Sequence, residues 1–107
     1  MTNLSAAELK AWLDDTSRPR PILLDVREPW EWDICRIESS RHMPMRSVPT
    51  RLDELAQGAE IVVICHHGGR SLQVGHFLEH QGFGPVYNLA GGVHGWSQHV
   101  DPSVSVY

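Results

Sequence analysis

Only two cysteines occur in the chain, Cys35 and Cys65, too few for the disulfide framework of a small secreted domain. No run of five or six basic residues is present. Lys plus Arg number 9 and Asp plus Glu 13, a formal net charge of −4, and an acidic surface repels nucleic acid and anionic membranes. No apolar run approaches the length needed to cross a bilayer. Residues 1–10 lack the basic start and apolar stretch of a secretory leader. Repeats, linkers and low-complexity segments are also missing. The expectation is a cytoplasmic protein with reduced thiols and with neither nucleic acid nor membrane as a partner.

What is there suits one ordinary domain. The chain has 107 residues, 41% apolar and 21% charged, enough to bury a core without staples. The expected domain is 1–107, with a polar tail from about residue 101.

Ser5-Ala6-Ala7-Glu8 reads as a capping box, with Leu4 and Leu9 as a hydrophobic staple, opening a helix over roughly 6–14. Ile22 to Val26 is a short apolar run between turn signals and suits a buried strand. Pro29 opens a short helix through Asp33. Residues 35–49 are irregular, broken by Pro44 and Pro49. Arg51 to Ala56 is expected to be helical, with Leu52 and Leu55 on one side and Gly58 ending it.

Ile61-Val62-Val63-Ile64 is the best strand, continuous and β-branched. A helix is expected over 71–81, with Val74, Phe77 and Leu78 facing inward and Leu72 off that stripe. Gly75 inside it costs about 1 kcal/mol relative to Ala, which hints at a close contact. Val86 to Leu89 is a further strand, and Gly91-Gly92 leads into a last helix holding Trp96.

Strands alternate with helices and are unbroken apolar runs, so the fold class is α/β, a mostly parallel sheet with helices on both faces. Ligands of such sheets bind beyond the carboxyl ends of the strands. Asp25 to Arg27, Cys65 to Arg70 and Ala90 to Gly92 should converge there.

The middle segment reads Cys65-His66-His67-Gly68-Gly69-Arg70-Ser71. A plain thiol titrates near 8.5 and is a poor nucleophile at neutral pH. A helix N-terminus directs unpaired N–H groups and partial positive charge at such a loop. The glycines let successive amides face inward as an anion nest, and Arg70 adds a permanent charge. Together these would stabilise a thiolate, a persulfide or a bound oxyanion. Cys65 alone is equally readable as a small apolar residue ending a strand.

With these residues in place the chain resembles the rhodanese family. The match runs from Leu24-Asp25-Val26-Arg27-Glu28 and Trp30-Glu31-Trp32, through the Cys65–Arg70 loop, to Ala90-Gly91-Gly92 and Trp96. The resemblance implies a rhodanese-like fold and a sulfurtransferase with Cys65 as nucleophile and the loop amides of His66, His67, Gly68, Gly69, Arg70 and Ser71 as anion hole. It implies a small-molecule sulfur donor, thiosulfate or a persulfide, and a thiol or cyanide acceptor, with a protein acceptor also open. No metal or organic cofactor is called for. The alternative is a persulfide carrier in a protein relay. A phosphatase or arsenate reductase fits less well, because their loops carry one more residue between Cys and Arg than the four found here.

Several residues admit two readings. Asp25 and Arg27 could touch the loop, but charges at a buried strand end are more often paired structural supports. Glu28 and Glu31 are expected to cap or anchor. His66 and His67, if they attract a dianion when protonated, should make thiosulfate binding weaken as pH rises through their range. Adjacent, they cannot easily share a metal ion, and His76 and His80 lack a third ligand in sequence. Cys35 stands where the family has Gly in a Gly-His-Ile stretch, which questions the backbone there, although it also offers a second thiol. Trp30, Trp32 and Trp96 are expected to pack, Trp96 near the site.

Overall fold

The computed structural model of the protein describes residues 1–107. β1 (Thr2–Leu4), α1 (Ala6–Asp14), β2 (Ile22–Asp25), α2 (Pro29–Ile34), β3 (Arg41–His42), β4 (Ile61–Ile64), α3 (Gly69–His80), β5 (Val86–Leu89) and α4 (Gly92–His99) follow in order. 3₁₀ segments cover Met45–Thr50 and Leu52–Glu54 between β3 and β4. All five strands are parallel, in the order β1-β5-β4-β2-β3.

Unbroken apolar strands follow from helices on both faces. Val62 and Ile64 pack with Leu9 and Trp12 of α1 and with Val93 and Trp96 of α4. Their neighbours Ile61 and Val63 point the other way, with Val74 and Leu78 of α3, Val48 and Leu55. All four β4 residues are fully buried, each such side chain contributing about 1.5–3 kcal/mol. Cys65, next in line, belongs to the α3 side.

Local signals held where they carried their own hydrogen bonds. Ser5 Oγ accepts from the Glu8 amide at 3.1 Å and Glu8 Oε1 accepts from the Ser5 amide at 2.8 Å. Gly75 lies against Met1, whose thioether a Cβ there would strike.

Three expectations change. Arg51–Ala56 does not form an α-helix: a 3₁₀ turn covers Leu52–Glu54, and Leu55 is already extended. Between Pro49 and Gly58, whose φ is +81°, there is no length for i→i+4 bonds to repay nucleation. Residues 35–49 are more ordered than expected, holding β3 and the first 3₁₀ segment. The third helix starts at Gly69, not Ser71, which places Arg70 in its first turn.

The N-terminus of α4 closes on the end of β4. Val93 N–H donates to Cys65 O at 2.9 Å and His94 N–H to His66 O at 3.1 Å. Gly92 makes this approach possible: a Cβ on it would lie 2.3 Å from both carbonyl oxygens. Gly92→Ala should therefore cost about 3 kcal/mol or more in urea unfolding, because backbone must move. Gly69→Ala, whose Cβ would meet nothing within 4 Å, should stay within about 1 kcal/mol of the parent. Equal effects at the two positions would contradict this packing.

Candidate active site

The three strand ends converge as the topology requires. Cys65 directly follows β4, with only 1% of its surface exposed. The next residues turn sharply: Gly68 sits at φ +116° and caps α3. A Cβ there would also press on Gly91 N at 3.4 Å, so both conformation and space call for glycine. This turn aims the Gly68 N–H at Cys65 Sγ, 3.0 Å away.

Ser71, fully buried in the first turns of α3, places its Oγ 3.3 Å from the same sulfur. It donates its own proton to Asn88 Oδ1 on β5, whose Nδ2 in turn donates to Asn3 Oδ1 at 3.0 Å. With its proton engaged, Ser71 Oγ accepts from the neutral thiol. The Gly68 amide and the start of α3 face the same sulfur.

Arg70, expected to add its permanent charge to the loop, carries that charge already matched. It forms a two-pronged pair with Glu31, Nη1 to Oε2 at 2.6 Å and Nη2 to Oε1 at 2.7 Å. Glu31 is buried, and its Oε2 also accepts from the Glu28 amide at 2.8 Å, so it caps α2 and anchors the loop at once. The Arg70 bonds are the main reason its carboxyl is held down to about 2, against the opposing effect of burial.

Asp25 and Arg27 are both fully buried and paired with each other, Nη2 to Oδ2 at 2.7 Å. Arg27 also donates to Cys35 O at 2.7 Å, to Glu31 O at 3.3 Å and to Tyr107 Oη at 3.0 Å. No hydrogen bond joins either residue to Cys65. Cys35 takes φ −163°, extended backbone open to any residue, so the replacement of Gly carries no strain. Its sulfur stays buried, 3.7 Å from Arg27 Nη1. Trp96 is core, Trp32 stacks on His42, and Trp30 is 60% exposed.

Two neighbours of the loop were missed in the sequence. Tyr107 stacks its ring on His66, centroids 3.9 Å apart and nearly parallel, and donates its hydroxyl to Glu31 Oε1 at 2.9 Å. Burial pushes that phenol up to about 12, so it stays protonated at neutral pH. His94 joins His66 and His67. Burial, and then the nearby His67, push His66 below the ordinary imidazole value, so its charging moves toward more acid conditions than expected. The contacts that bring these residues in span 27 positions, from His67 to His94, up to 80, from Arg27 to Tyr107, and no local pattern encodes them.

A family model described as the rhodanese-like domain matches residues 5–99. A protein of Arabidopsis thaliana named rhodanese-like/PpiC domain-containing protein 12, chloroplastic, is 39% identical over 89 residues, covering 79% of this chain and 30% of that protein. A sulfurtransferase of Allochromatium vinosum is 36% identical over 84 residues, 78% of each chain. The crystal structure of a rhodanese-like domain protein from Staphylococcus aureus superposes with a TM-score of 0.85 at 27% identity, covering 100% of this chain and 99% of that one.

The Glu31–Arg70 pair has an acid signature. A carboxyl lowered from 4.5 to about 2 contributes stability fully present above about pH 4.5 and lost as pH falls toward 2. The unfolding free-energy gap between the parent and Glu31→Gln should narrow by up to about 2 kcal/mol between pH 7 and pH 3, Arg70 being partly screened by solvent. A gap that is the same at both pH values would remove this pair as a source of stability.

Proposed function

The chain belongs to the rhodanese-like sulfurtransferase family, and on that footing we propose that Cys65 is its nucleophile and carries sulfane sulfur as a persulfide. The observation that carries this reading is the Gly68 N–H at 3.0 Å from Cys65 Sγ, at the start of α3. It is a donor in place for negative charge on sulfur, whether thiolate or persulfide.

In the first half-reaction the Cys65 thiolate attacks the outer sulfur of the donor. A new S–S bond forms and the donor's S–S bond breaks, so thiosulfate leaves as sulfite and an alkyl persulfide leaves as a thiolate. In the second half a thiolate or cyanide attacks the terminal sulfur. The Cys65 S–S bond breaks and its electron pair returns to Cys65. The sulfur is displaced twice and no external redox partner is needed. Asp25 and Arg27 act as supports: they hold the end of β2 and the end of α2 in register, so that Glu31 reaches Arg70.

The persulfide-carrier reading gains from one observation. The loop's only permanent cation, Arg70, is matched by Glu31, so little fixed positive charge remains to draw in a dianion such as thiosulfate. An alkyl or protein persulfide carries less charge and asks less of the site. Cys65 is nearly sealed, so the flanking groups, His66 beneath Tyr107 and Arg70 held by Glu31, give way when a donor enters.

The reading is tested by kcat/KM for cyanide-accepted sulfur transfer from thiosulfate and from an alkyl persulfide. The persulfide should be used at least about tenfold more efficiently, and Cys65→Ser should abolish both reactions. A preference for thiosulfate would favour the small-molecule enzyme over the carrier, and turnover surviving in Cys65→Ser would defeat the proposal altogether.

A further inference from the structure

His66 and His67 are adjacent in the chain, and two such rings alone make a poor ligand set. The fold adds a third from 27 residues away. The hydrogen bonds from Val93 and His94 to the Cys65 and His66 carbonyls set His94 on the first turn of α4 beside the loop. Ring centroids lie 3.9 Å apart for His66 and His67, 5.0 Å for His67 and His94, and 6.0 Å for His66 and His94. A ligating nitrogen from each of the three falls within 4.8 Å of the other two.

None of these three rings is committed to a hydrogen bond with another residue. Of the seven histidines, only His42 makes a ring hydrogen bond to another residue. His94 Nδ1 is the one buried side-chain nitrogen or oxygen in the molecule with no partner. Leaving such an atom unmatched costs about 1–3 kcal/mol, so its lone pair or N–H invites a ligand.

Three ring nitrogens converge here, and the nearest carboxylate, Glu31, is already bound to Arg70. Converging imidazole nitrogens of this kind match the donor set of a divalent metal.

We infer that His66, His67 and His94 form a three-imidazole site for a divalent transition metal of the zinc class, placed on the loop that begins at Cys65. Tetrahedral zinc holds nitrogens at about 2.0–2.1 Å, hence about 3.3 Å from one another. The three nitrogens reach this by closing up to about 1.5 Å on one another, and exposed His67 is free to swing. The fourth position stays open to water. Resting on the Cys65 reading, an ion there pins the residues that must yield to an incoming donor, and so it inhibits sulfur transfer.

The test uses chelator-treated full-length protein titrated with Zn²⁺ against a chromophoric competitor, and with Co²⁺ followed by its visible absorption. The parent should take up one ion per chain with Kd on the order of micromolar. Cys65→Ser should keep that affinity within about threefold, whereas His67→Ala and His94→Gln should each weaken it at least about 30-fold. The exposed position of His67 guards against a folding artefact at His94. Absence of binding, binding that needs Cys65, or binding indifferent to both histidine changes would overturn the site.

Inhibition is read separately, with each protein normalised to its own metal-free rate. Half-inhibition by Zn²⁺ should shift at least about tenfold upward in His94→Gln. An inactive metal-free parent would count against the sulfurtransferase reading and leave the binding titrations to decide the metal site.

Discussion

The amides of Val93 and His94 reach the carbonyls of Cys65 and His66 across a gap that only a glycine at position 92 leaves open. Everything at the candidate site depends on this contact. It anchors the chain at the point where β4 ends, so the following residues must turn within Gly68 and start α3 beneath the sulfur. It also ties the fourth helix to the loop, bringing His94 to His66 and His67. A side chain at residue 92 would part the two strand ends and disperse all of these groups.

A second layer of constraint is ionic. Arg27 carries its charge with no exposed surface, a state tolerable only because Asp25, two carbonyl oxygens and the Tyr107 hydroxyl take up its N–H groups. That cluster fixes the end of α2, and α2 presents Glu31 to Arg70. The guanidinium beside the loop is thereby positioned and neutralised together. On the proposed reading, holding an anionic sulfur at Cys65 then falls mainly to backbone amides and the helix terminus, which do not titrate.

Much of the fold was legible because its signals are local or periodic. The Ser5–Glu8 box, the β-branched run at 61–64 and the glycine at 68 each act within a few residues. The loop was legible for the same reason: thiol, glycines and helix start are contiguous. Arg70's partner was not, since Glu31 lies 39 positions earlier and an arginine in a loop looks like a free charge. Tyr107 and His94 come from distant segments that only the completed sheet brings in. The edge strands β1 and β3, of three and two residues, are too short to show a period, and the expected helix at 51–56 failed because two leucines in one turn do not make a helix.

The central claim is that Cys65 takes up one sulfur atom, and intact mass tests it most directly. The protein is exposed briefly to an alkyl persulfide and, separately, to thiosulfate, then weighed before and after cyanide. The account predicts a gain of a single sulfur, removed by cyanide and absent in Cys65→Ser even though Cys35 remains. A sulfur retained in Cys65→Ser, or no gain from either donor, would contradict it.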